Sequence, residues 1–224
     1  MYSLLSYPQL FYSLVFFAPF ISFITAFFKS STSLSDFISI YPSTHLLISS
    51  KRNIFRIGIY FFSISSIIIA NDFNNYVNVF FKKNPQKKTT FYSFILYIQT
   101  ISAYVYVTGS LGLITYPENI ATVFTFVMEI IFFSNIIIFL IIYDIFIKLM
   151  KERIFLSVYF YNALMIFTVC SFFALRLFAH LYQIEDPFPI STINEYLAFL
   201  LCLLKFPICG LELQTIKRNI EKVE

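Results

Sequence analysis

The chain has no tryptophan, only three cysteines and two histidines in 224 residues, and 12% of it is charged. Each shortage removes a class of protein. Against 58% hydrophobic residues and a mean hydropathy of +0.77, that little charge leaves too little polar surface to cover a soluble globule of this length. The cysteines, Cys170, Cys202 and Cys209, all fall inside apolar runs. They suggest neither a disulfide framework nor zinc-ligand spacing and read as small buried hydrophobes. His45 and His180 lie far apart with no further ligands of the usual kind, so no metal site is expected. A Walker loop, GxGxxG, HExxH and GxSxG are all absent, and neither a cofactor nor a nucleic-acid partner is expected.

What the chain has is long, continuous apolar runs. An outer-membrane barrel would show short alternating segments instead. Runs of this kind cross ~30 Å of hydrocarbon as helices of roughly 20 residues. The reading is an all-α, polytopic membrane protein: a single domain over residues 1–224, with spans at about 11–28, 54–70, 91–116, 120–147, 154–179 and 193–213. The first run lacks the basic n-region and clear cleavage site of a secretory signal and is kept as a span. Residues 29–53, rich in Ser and Thr around Pro42, read as an extramembrane loop. The Asn- and Lys-rich stretch from Asn71 to Thr90 reads as another. Gly109 and Gly112 are spaced to let a neighbouring helix approach. A tight turn, Tyr116 to Asn119, joins the third and fourth spans.

Basic residues decide the orientation. One side carries Lys82, Lys83, Lys87, Lys88, Lys148, Lys151, Arg153 and the tail bases Lys217, Arg218 and Lys222. The other carries Lys29, Lys51, Arg52 and Arg56, and its later loops carry none. The positive-inside rule then puts the N- and C-termini in the cytosol. Lys82 to Lys88 also suit contact with anionic lipid headgroups.

Ionisable groups inside spans cost about 2.5–3.5 kcal/mol each on insertion scales and need partners or an aqueous cavity. Arg176 and His180 share one face of the fifth helix. Glu195 enters the sixth from the same side, which suggests an Arg176–Glu195 pair. That pair reads either as an interhelical clamp or as part of a polar cavity for a lipid headgroup. Glu129, deep in the fourth run, is matched with Lys205 in the sixth as an intramembrane pair, and Asp144 with Lys148 one turn on.

Several residues fall in an order that resembles a known family. Arg56 with Ile57 and Ile59 opens the second span. Glu118 and Asn119 stand in the tight turn, with Pro117 where the family has a histidine. His180 closes the fifth span, and Glu195 with Tyr196 opens the sixth. This pattern resembles the post-GPI-attachment-to-proteins factor 2 proteins, within the Frag/DRAM/Sfk group that also holds the N-terminal domain of fungal cell wall biogenesis protein 43. The resemblance implies six spans with cytosolic termini and a part in GPI-anchor maturation, where anchor lipid chains are exchanged at Golgi or ER membranes. Its implied partners are membrane lipids and GPI-anchored proteins. Direct action on the lipid would make His180 a general base and Arg176 and Arg56 phosphate contacts, with Glu118, Glu195 and Tyr196 in the polar cavity. Two other readings stand beside it. One is a non-enzymatic membrane modulator of the same group, at the plasma or lysosomal membrane. The other is a small transporter built on Glu129 and Lys205, which lacks the internal repeat such proteins show.

Overall fold

The computed structural model describes residues 8–29, 52–115, 118–151, 156–181 and 189–221, and apart from Asn84 to Thr89 all of these are α-helical. The helices are α1 (Pro8–Lys29), α2 (Arg52–Lys83), α3 (Thr90–Thr115), α4 (Glu118–Lys151), α5 (Leu156–Leu181) and α6 (Pro189–Glu221). Five contain segments long and apolar enough to cross a membrane: Asn53–Lys83, Thr90–Thr115, Val123–Met150, Val158–Phe178 and Ile193–Leu213. In α1 the described apolar stretch, Phe11–Ser22, is shorter.

The second helix corrects the sequence reading. The span expected at 54–70 runs on without a break to Lys83, through the stretch expected to be a loop. Ala70, Phe73, Val77, Phe80 and Phe81 recur at three- and four-residue intervals and are all buried. Phe73 packs on Tyr143 with ring centroids 4.4 Å apart, and Phe81 packs on Tyr92 and Phe146. Asn71, Asn75 and Asn78 stay outside, and the half-buried Asn74 turns toward α3. The true connection is Asn84 to Thr89, where Pro85 opens a 3-10 turn over Pro85–Lys87. The turn expected at Tyr116 to Asn119 is also shorter, because Glu118 and Asn119 are already helical; Tyr116 and Pro117 lie outside the described residues.

The helices close into a ring. α1 packs on α2 and α6, α2 on α3, α3 on α4, and α5 on α6, with α4 touching both α5 and α6. At the centre Phe62 of α2, Tyr106 of α3, Phe132 and Phe139 of α4, and Phe206 of α6 meet ring to ring at 5.7–6.5 Å. Polar side chains fasten neighbouring helices inside this apolar mass. Asn74 donates to Thr100 Oγ1 at 2.7 Å, the Ser63 and Ser110 hydroxyls share a hydrogen bond at 3.3 Å, and Tyr143 donates to the Cys209 carbonyl at 2.6 Å. Cys202 and Cys209 are buried as expected, while Cys170 is exposed on α5 instead.

Close approach depends on glycine, as Gly109 and Gly112 suggest. A Cβ on Gly109 would lie 2.8 Å from the backbone nitrogen of Phe132, and one on Gly58 would lie 1.9 Å from Ser22 Oγ. Replacing either crowds a packed seam, a change that typically costs ~1–3 kcal/mol. The contrast with Gly112 is testable, since a Cβ there meets the flexible Met128 side chain, Sδ at 2.6 Å and Cγ at 2.8 Å, and no backbone atom of another helix within 3.6 Å. Both Gly→Ala changes gain the same helix propensity. Thermal unfolding in detergent is therefore expected to rank Gly109→Ala well below Gly112→Ala, and an inverted order would contradict this packing.

Candidate functional site

Within its apolar segment helix α4 carries two acids, Glu129 and Asp144, separated by about 22 Å along an axis rising ~1.5 Å per residue. Both are buried, and each is met by a base from a different helix. Arg176 of α5 donates through Nη1 to Glu129 Oε2. Lys205 of α6 reaches Asp144 Oδ2 at 3.0 Å, and Asn162 Nδ2 of α5 donates to the same oxygen at 2.7 Å.

These partners differ from those the sequence suggests. The expected match for Lys205 is Glu129, but its ammonium goes to Asp144. α6 runs parallel to α4 with Phe206 stacked on Phe139, which sets Lys205 near the Asp144 end of α4 and away from Glu129. Arg176, expected beside Glu195, forms an ion pair with Glu129, because α5 runs antiparallel to α4 and brings the two to one depth. Glu195 is itself buried on α6. Asp144 turns inward, while Lys148 stays exposed with its ammonium 5.9 Å from the Tyr159 ring centroid.

The surroundings explain how such charges persist in an apolar bundle. Glu129 is 1% exposed and Arg176 8%, and the guanidinium lies 5.7 Å from the Phe126 ring and 5.8 Å from that of Phe172. Lys205, 1% exposed, lies 5.7 Å from the Tyr161 ring, whose hydroxyl donates to the Leu201 carbonyl. A charge in hydrocarbon is tolerable when paired and cushioned in this way. Asn162 escaped the sequence reading, although a lone carboxamide inside the apolar run of α5 was its visible signal.

Arg56 has a different task. Its Nε donates to the Ile114 carbonyl at 3.0 Å, covering an otherwise open acceptor in the last turn of α3. His180 stands in the last turn of α5 and Glu118 begins α4; their side chains lie outside the described residues. Arg56, Glu118, Arg176, His180, Glu195 and Tyr196 thus belong to one end of the bundle, where α2, α4 and α6 begin and α3 and α5 finish. Within that end Arg56 serves the α2–α3 seam and Arg176 the α4–α5 seam, so the two arginines make separate contacts. Among the described residues no three His, Cys, Asp or Glu side chains are placed to hold a metal ion.

Compared with known proteins, the chain matches no family model, no curated protein and no solved structure.

Removing one partner of a buried pair strands the other charge, at a typical cost of ~3–5 kcal/mol, whereas replacing both with apolar groups is often nearly neutral. Glu129→Leu alone is therefore expected to destabilise the protein strongly, and Glu129→Leu combined with Arg176→Met to recover most of the loss. Unfolding of the two single variants and the double variant in detergent measures this coupling, and strictly additive losses would show that the pair contributes nothing.

Proposed function

We propose that this chain is a six-span membrane factor with cytosolic termini that takes part in the lipid remodelling of GPI-anchored proteins at Golgi or ER membranes. The observation that carries the reading is the gathering of Arg56, Glu118, His180, Glu195 and Tyr196, the residues of the family resemblance, at one end of the bundle, away from the exposed Lys82, Lys83, Lys88 and Lys148. Lys87 Nζ lies 3.5 Å from the Leu149 carbonyl, so the lysine-rich connection and the end of α4 share the basic end. Cytosolic placement of that end follows from the positive-inside rule. A sixth span at α1 is supported by its 22 residues, which rise about 33 Å, enough for the hydrocarbon core.

An accessory part fits the geometry better than acyl transfer by His180. Arg176 is occupied by Glu129, and Arg56 gives one of its five donors to Ile114, leaving the rest of its fork for a lipid phosphate. The transporter reading loses its central feature, because Glu129 and Lys205 belong to two separate pairs. A modulator that organises lipids without remodelling them is the second reading.

Cells lacking the protein are expected to carry GPI-anchored proteins with altered anchor lipid chains, and Arg56→Gln to reproduce part of that change. Mass spectrometry of released anchors reads this directly. Unaltered chains in the deletion would overturn the proposal.

A further inference from the structure

One stripe of α2 faces outward along nearly its whole length. It runs Ile57, Phe61, Ile64 and Ile68, then Asn71, Asn75 and Asn78, then Lys82, and all eight are exposed. Intervals of three and four residues keep them on one side of the helix. The change from aliphatic to amide happens at a depth where other helices are still apolar outside. The Asn74–Thr100 hydrogen bond fixes that level on α3, where Tyr97 is 64% and Ile101 43% exposed. Phe73 against Tyr143 sets exposed Ile145 near the same level on α4, and Asn162 bonded to Asp144 sets exposed Tyr159 and Phe160 there on α5.

Three carboxamides therefore interrupt an otherwise apolar girdle, and no described residue hydrogen-bonds to any of them. In hydrocarbon an unmet amide is unfavourable, and asparagines on membrane helices are drawn to polar groups on other helices.

We propose that this face is the seam of a homodimer, with α2 packed against α2 of a second copy. An amide holds both donors and an acceptor, so a face of asparagines complements itself, whereas a purely acidic or basic partner would satisfy half of each group. Two copies inserted in the same orientation are related by a twofold axis perpendicular to the membrane. From Ile57 to Asn78 each stripe residue then meets its own counterpart at its own depth, while Lys82, in the last turn of α2, is long enough to turn its ammonium away from its twin. Asn71, Asn75 and Asn78 pair amide to amide, and Ile64 and Ile68 extend the contact as apolar packing.

Two or three amide pairs of the size found between membrane helices correspond to about tenfold or more in association. In membranes holding the full chain with Cys170→Ser, Asn75→Cys is expected to form an oxidised dimer of twice 26.3 kDa, in roughly that excess over Tyr104→Cys on the outward face of α3. Equal yields would overturn the seam. Because that change removes one amide, resonance energy transfer between two labelled populations of the native chain in vesicles gives a second reading. Transfer is expected in the native chain, and its dependence on protein density should show association weakened about tenfold or more when Asn71, Asn75 and Asn78 are all changed to Leu. Either an absence of transfer in the native chain or an unchanged density dependence in the triple variant would overturn the proposal.

Discussion

A carboxylate placed in hydrocarbon must find a positive partner within reach of its own side chain, and α4 places two. Glu129 and Asp144 define where Arg176 and Lys205 must sit, and through them where α5 and α6 must stand. The constraint weighs most on α5, the least embedded span, with only 28% of its apolar window buried. Packing alone would hold it weakly against α4. Polar bridges near both ends, Arg176 to Glu129 and Asn162 to Asp144, fix its depth and rotation, and Phe133, Phe172 and Phe173 fill the space between.

The other half of the bundle is joined differently. Between α1 and α2 the approach is set by Gly58 against Ser22, and between α3 and α4 by Gly109 against Phe132. The α2–α3 seam holds neutral hydrogen bonds at Ser63 and Asn74, with Arg56 capping Ile114 at its end. Both of the buried ion pairs described above thus fall on one helix, and the seams just named use small residues and hydroxyl or amide groups, the usual means of holding helices together where lipid supplies no hydrophobic drive between them.

Much of the plan was legible because it rests on composition and run length. The apolar runs gave the helices, and the Gly109–Gly112 spacing gave a close contact. The extension of α2 was missed because its asparagines lower local hydropathy, although Phe73, Val77 and Phe80 kept helical period beneath them. The partner of Lys205 was misassigned for another reason. Depth counted from helix ends ignores whether two helices run parallel or antiparallel and which of them touch. Lys205 and Glu129 are level by counting, but α6 lies beside α4 in a register set by Phe206 and Phe139. Such registers belong to the whole bundle and are invisible in any one segment.

The order of residues along the chain gives the charge pairs a temporal meaning. The α2–α3 hairpin contains both sides of the contacts made by Arg56, Ser63 and Asn74, and these can form as soon as the hairpin enters the membrane. The ion pairs of α4 cannot: Arg176 comes 47 residues after Glu129, and Lys205 comes later still. During synthesis both carboxylates reach the bilayer before their counter-ions exist. α4 is therefore the span whose insertion is completed only by the two helices made after it, and a chain cut short before α6 would leave Asp144 in the membrane with Asn162 and without its ammonium.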